Sequence, residues 1–464
     1  MIRRFLLLAA VSAAGITAPA WAKSNDKDKD AGWSLQEALG KPEGLTISGS
    51  FRVRYEALDN QFRPGLDRKD DLISLRTTLA AEYDAGPLRF GAEVMDSRAY
   101  DADRGSSAGN GDVNALELIQ AYVGADLDDA LGNGTDTKID IGRFTMDLGS
   151  RRLVGQNNFR NTTNAFAGGR LQFNGRDKEA LTLFYTLPLQ RLPDDKESIL
   201  DNEVKWDRES FDLVFWGGFL NKPNIIGKSS LDLYFLALDE DDSDTRLTRN
   251  RHIFTPGFRV FSDPEPGHAD YELEAAYQFG DIRASSTADA AKLDVSAYFV
   301  HAEVGYQFKA PWSPRVSVEY DLASGDKRGR NYGRFDSLYG PRRSDFGPTG
   351  IYGPLGRNNI SSPGVRLEVK PDKRWDGFLA YRAAWLDSGT DSFASTQVRD
   401  PDGLSGKFAG HQIEARARYW LVPKLLRLDV GGAVLINGRF LKDAPNANGY
   451  GDVKYGYADI TATF

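Results

Sequence analysis

The chain has 464 residues, no cysteine, only four histidines and a net charge of −8. Without cysteine there is no disulfide scaffold, thiolate metal centre or thiol catalysis, and the acidic balance excludes bulk nucleic-acid binding, which needs a basic face. Forty-seven glycines, with 19 tyrosines beside 26 phenylalanines, point away from a helical protein.

Residues 1–22 read as a secretory signal peptide: Arg3 and Arg4 open it, Phe5 to Ile16 is mostly apolar, and Ala20-Trp21-Ala22 supplies a small-x-small cleavage site. No later stretch approaches the ~20 apolar residues of a membrane-spanning helix. Residues 23–44 form a periplasmic linker and short helix. Asn25 to Asp30 is a solvated mixed-charge run, and Ser34 with Glu37 is a capping box ahead of Gly40 and Pro42.

From Leu45 to Phe464 the dominant period is two. Ile47, Phe51, Val53 and Tyr55 fall on one face, with Ser48, Ser50, Arg52 and Arg54 on the other. The same alternation recurs around 88–94, 271–279, 315–321 and 412–419, which is the signature of strands with one apolar face. About 18 such segments are predicted: 45–57, 71–84, 87–96, 114–126, 137–149, 166–174, 179–188, 210–220, 230–239, 251–261, 269–279, 293–309, 314–323, 360–369, 374–387, 410–422, 424–437 and 452–464. Odd-order connections are long (97–113, 150–165, 189–209, 324–359, 388–409, 438–451). Even-order ones are mostly tight turns, with longer exceptions at 127–136 and 221–229.

Short turns at one end and long loops at the other predict an all-β fold: a transmembrane antiparallel β-barrel with short periplasmic turns and long extracellular loops. A soluble sandwich or propeller fits less well. Charged residues recur on the second face of strand after strand, and desolvating each in a closed core costs several kcal/mol; a water-filled lumen holds them cheaply. Tyr55, Tyr83, Tyr306, Phe308, Trp375, Trp385 and Tyr419 at strand ends suit interfacial girdles. The last residue, Phe464, closes a strand with Ala458, Ile460 and Ala462 on its face. About 18 strands leave an aqueous channel, and the expected location is the outer membrane of a Gram-negative bacterium.

One stretch is more specific. Ile141 to Gly149 contains Gly142-Arg143, runs into Arg151-Arg152-Leu153-Val154-Gly155 and Arg160-Asn161, and returns through Phe166 to Arg170-Leu171. Together with Arg54-Tyr55-Glu56, Leu75-Arg76-Thr77 and Phe335 to Tyr339, this resembles the alginate-export family of outer-membrane barrels. The resemblance implies an 18-stranded barrel that moves anionic polysaccharide through an arginine-lined pore. It departs from the best-known type in one respect: the connection Leu421 to Lys424 is a minimal turn where that type carries a long periplasmic loop that helps close the pore.

Arginine outnumbers lysine 38 to 20, which favours the fork that grips carboxylates bidentately. The pore-lining set expected is Arg52, Arg54, Arg76, Arg366, Arg382, Arg416 and Arg418 on strands, with Arg143, Arg151, Arg152, Arg160 and Arg170 around an inward-folding loop of 16 residues, 150–165. Most strand arginines are expected to pair with lumen acids such as Glu274, Glu319 and Asp429. No cofactor, metal or catalytic site is expected: the acidic run Asp239 to Asp244 lacks the ordered spacing and glycine of a calcium loop, and His301 has no serine partner for a hydrolase mechanism. The expected function is diffusive passage of an alginate-like polyuronate. Alternatives are a general or uptake porin for small acidic solutes, an outer-membrane hydrolase, and an adhesin using loop 324–359. The partners expected are outer-membrane lipid and lipopolysaccharide, the anionic polysaccharide and periplasmic export partners.

Overall fold

The computed structural model describes residues 33–243, 246–329 and 331–464; the signal-peptide reading over 1–22 lies outside them. Helix α1 (Leu35–Ala38) is capped by Ser34, whose hydroxyl accepts from the Glu37 amide at 3.1 Å. The Gln36 side chain then donates to Leu45 O at 2.7 Å and accepts from Ile47 N at 2.8 Å, covering the edge of the first strand.

The wall follows in simple up-and-down order: β1 (Leu45–Asp59), β2 (Lys69–Asp84), β3 (Leu88–Tyr100), β4 (Asn114–Asp128), β5 (Asp136–Phe144), β6 (Phe166–Asn174), β7 (Ala180–Pro188), β8 (Leu213–Ile226), β9 (Ser229–Glu240), β10 (His252–Phe261), β11 (Ala269–Arg283), β12 (Lys292–Gln307), β13 (Arg315–Ala323), β15 (Ile360–Val369), β16 (Trp375–Trp385), β17 (Phe408–Val422), β18 (Leu426–Asn437) and β19 (Val453–Thr463). The remaining strand, β14 (Asn331–Tyr332), is two residues of a loop lying parallel to β12. Eighteen antiparallel strands therefore form the wall among the described residues, and β1 closes on β19 from Ser50↔Thr463 to Asp59↔Lys454. Phe464 finishes the seam by exchanging two 2.9 Å backbone hydrogen bonds with Gly49. Closure leaves no open sheet edge, which is what lets strands cross a lipid bilayer.

The alternation read from the sequence holds in three dimensions. Phe51, Val53 and Tyr55 are exposed on the outer face, whereas Arg52, Arg54 and Glu56 are buried on the inner one. Tyr83, Tyr306, Phe308 and Trp375 ring the short-turn end on the outside, with Tyr55 and Trp385 near the opposite end. The eight short turns span two to seven residues and the nine connections at the other end span eight to 36. Two strand boundaries differ most from the sequence reading. β8 continues to Ile226 through a register shift after Lys222, because a bulge accommodates Pro223, which cannot donate to a ladder. β5 stops at Phe144, two residues past Gly142, and Met146 beyond it is buried.

The inside differs from a simple water-filled tube. Toward the long-loop end the lumen is packed by loops 145–165 and 324–359, whose Leu153, Val154, Phe159, Phe335, Phe346 and Tyr352 are buried with wall residues Phe166, Phe215 and Tyr455. Phe215 sits between Phe166 at 6.0 Å and Tyr339 at 5.0 Å, and Tyr352 stacks on Tyr455 at 5.0 Å. Such interleaved aromatics make an apolar plug hung inside the barrel.

Candidate functional site: a cationic chamber beneath two latched loops

Below the plug the lumen opens into a cavity of about 710 Å³. Ten arginines line it (Arg52, Arg54, Arg76, Arg151, Arg315, Arg343, Arg366, Arg416, Arg418 and Arg427) against six acids, among them Glu368, Asp429 and Asp459. A neighbouring space of about 370 Å³ runs toward the short turns past Lys370 and shares Arg315, Arg366, Arg416 and Arg418. Another of about 500 Å³ shares Arg76 and adds Arg89, Lys138 and Arg170. Strand alternation delivers these side chains: Arg416 and Arg418 are two residues apart on β17 and so point the same way.

Pairing fixes many of them without neutralising the whole. Arg416 grips Asp429 at 2.5 Å, Arg418 meets Asp376 at 2.7 Å, and Arg366 meets Glu368 at 3.1 Å while lying 3.8 Å over the Phe378 ring. Arg427 forms no ion pair among the described residues and stands 5.4 Å from the Trp420 ring. Arginines outnumber acids among the chamber-lining residues, and Arg315, Arg343 and Arg418 also pair with Asp270, Glu414 and Asp376 beside it.

The roof is built from loop 145–165 and loop 324–359. Arg52 donates to Asn158 O and Arg160 O, both at 2.9 Å; Arg54 to Phe159 O at 2.5 Å; Arg76 to Arg160 O at 3.1 Å. Three expected pore arginines therefore hold loop carbonyls as well as facing the cavity. Arg54 also pairs with Asp459 at 2.8 Å and lies 3.9 Å over the Phe159 ring. From the other loop, helix α3 (Arg343–Phe346) sends Arg343 to Glu414 at 2.6 Å. The two loops join through a parallel bridge between Val154 and Tyr339. A Cβ at Gly340 would lie 1.7 Å from Arg152 O, so only glycine permits that approach.

An ion cluster locks this junction. Arg152 binds Glu274 at 2.7 Å, Asp345 at 3.1 Å and Glu272. Arg357, fully buried, binds Asp345 and donates to Arg152 O at 3.2 Å and Pro341 O at 2.8 Å. Burial alone raises the Asp345 carboxyl, but Arg152 and Arg357 outweigh it and hold it well below the usual range. A further set, Arg63, Arg160, Arg191 and Arg342, forms no ion pair among the described residues. Burial followed by mutual repulsion pushes Arg342 down to about 9.

The other predicted residues divide by geometry. Arg170 lines the 500 Å³ space and pairs with Asp140 at 2.7 Å; Arg151 lines the main chamber, 3.9 Å from Asp147. Arg382 is buried against Glu319 and Asp321, both at 2.8 Å, and lines none of these spaces. Arg152, only 7% exposed, belongs to the latch rather than to a constriction. Arg143 shares strand parity with Ile141, which is 66% exposed on the outer face, and its guanidinium is held by Glu117 at 3.0 Å and Glu209 at 2.6 Å, away from the chamber. Sequence reasoning missed Arg342, Arg343, Asp345 and Arg357; the arginine-rich tract 328–357 was the available signal.

Against this barrel and chamber, the family model described as alginate export matches residues 44–450, most of the chain. The chain belongs to the alginate export family. No curated protein matches it significantly. Its barrel is similar to solved porins: Acinetobacter baumannii OccAB1 (14% identity, TM-score 0.57, covering 91% of this chain and 97% of that one), a BenF-like porin from Pseudomonas fluorescens Pf-5 (12%, 0.58, 91% and 99%), and Pseudomonas aeruginosa OpdK solved with vanillate (12%, 0.56, 90% and 98%). At these identities the likeness shows the fold. This alginate export barrel is an outer-membrane channel of a Gram-negative bacterium. Its β17–β18 connection is three residues long, the minimal turn read from the sequence.

Proposed function

We propose that the channel passes an anionic saccharide of the alginate-like polyuronate class by diffusion, with the chamber above the short turns as its binding region. The observation that carries this reading is the excess of arginines over acids among the chamber-lining residues, including Arg427, which forms no ion pair among the described residues. A solvated pair between one arginine and one uronate is worth ~0–1 kcal/mol, so a row of them holds a polymer while letting it slide, as conduction demands. The family supports the substrate class. The chain's own part is to orient and attract the polymer, with no catalytic step.

A second reading is uptake of small acidic solutes. The plug of loops 145–165 and 324–359 favours it by narrowing the lumen, and the similar barrel OpdK was solved with vanillate. Planar-bilayer recordings separate the two. Polyuronate oligomers added on the short-turn side should block the current at concentrations where vanillate does not; the reverse order would replace the first reading with the second.

A further inference from the structure

We propose that residues 202–207 of the β7–β8 loop form part of the lipid-facing wall, with Val204 and Trp206 in contact with outer-leaflet lipid. The wall has a gap there. β3 pairs with β4 only as far as Ser97↔Asn114 but runs on to Tyr100, while β4 meets β5 only from Ala121↔Arg143, leaving residues 114–120 without that neighbour. The loop supplies the missing partners. Asn202 accepts from Ala99 N and donates to Ala99 O, both at 2.8 Å, as a strand backbone would. Asp207 N donates to Glu117 at 2.6 Å, the Asp207 carboxylate accepts from Asn114 at 3.0 Å, and Arg143, on the outer parity of β5, binds Glu209 at 2.6 Å.

Between these two anchors exposure alternates over 204–207. Lys205 turns back to Asp195 at 3.0 Å and Glu203 at 2.9 Å, and Asp207 is buried, whereas Val204 and Trp206 are 48% and 57% exposed. Tyr100 follows the Asn202-bound Ala99 in the chain and Leu116 precedes Glu117, which holds Asp207; both are exposed. The exposed patch adjoins the lipid-facing band across the Asp96–Arg98 pair, at 3.0 Å, and a tryptophan at its extracellular margin sits where aromatic belts meet headgroups.

The absence of cysteine makes the test clean. Trp206→Cys, and separately Val204→Cys, is labelled with a nitroxide and refolded into dimyristoylphosphatidylcholine vesicles, with folding checked by heat-modifiable migration. Ile141→Cys on the outer face and Arg104→Cys in loop 101–113 are the lipid and water references. Collision with oxygen relative to a water-soluble nickel chelate should place positions 204 and 206 within about twofold of 141 and several-fold above 104. Values matching 104 overturn the proposal. So does spin–spin broadening at 206 that disappears on dilution with unlabelled protein, because a second copy of the chain would then cover the patch.

Discussion

At Arg54 one guanidinium does three things: it pairs with Asp459, donates to the Phe159 carbonyl and covers the Phe159 ring. Strand parity in the sequence places Arg54 in the lumen, but its loop partners lie 105 residues away and are visible only once loop 145–165 has folded inward. Arg427, facing the same chamber, forms no ion pair among the described residues. Arg427→Gln should therefore weaken polyuronate block by up to about fivefold, the equivalent of ~1 kcal/mol, and lower the anion/cation permeability ratio, both read in a planar bilayer. Arg143→Gln should leave block unchanged, since Arg143 is committed to Glu117 and Glu209 away from the chamber. Asp112, in loop 101–113, gives a residue-scale pH effect. Burial first, then repulsion from Glu56, pushes its carboxyl up to about 6. A raised acid stabilises the folded loops at low pH, and that contribution is lost as pH climbs from about 4 through 6. Asp112→Asn keeps an acceptor for Gly109 N and carries no charge, so protease resistance of the loops should fall between pH 4 and 7 in the wild type and stay flat in the variant.

The strands themselves were the most legible elements, because a period of two survives wherever one face meets lipid and the other an aqueous or ion-paired interior. What escaped was local chemistry at their ends. Pro223 and Gly227 read as a long connection where the structure has a bulged strand and a two-residue turn, and β5 ends at Phe144, earlier than its alternation suggests. The larger omission was the latch. Loop 150–165 drew attention for its cations, but their partners come from wall strand β11 and from a loop nearly 200 residues away, and nothing in local spacing announces that pairing. Asp345 is the pivot, bound by Arg152 and Arg357 together. Asp345→Asn leaves buried Arg357 without its ion-pair partner among the described residues, while Arg152 keeps Glu272 and Glu274, and breaking a buried pair typically costs about 3–5 kcal/mol. The loops should part more often, seen as larger and noisier conductance steps and as earlier proteolysis within 324–359, while heat-modifiable migration of the barrel is unchanged.

For the molecule as a whole the relevant contrast is between two kinds of charge. The chain is net negative, yet its chamber carries more arginines than acids and opens through the space beside Lys370 at the short-turn end. Chamber arginines such as Arg418 act through water, and their reach is set by the Debye length, about 10 Å at 0.1 M salt and about 3 Å at 1 M. Latch charges are buried and screened far less. Raising ionic strength should therefore separate the two functions. Reversal potentials under a fixed salt gradient should show strong anion preference around 0.1 M that largely disappears by 1 M, and polyuronate block should weaken in parallel. The pattern of conductance steps, which reports how often loops 145–165 and 324–359 part, should persist across the same range. If selectivity and the step pattern instead changed together, the chamber and the latch would be a single electrostatic unit and the division of labour between them would fail.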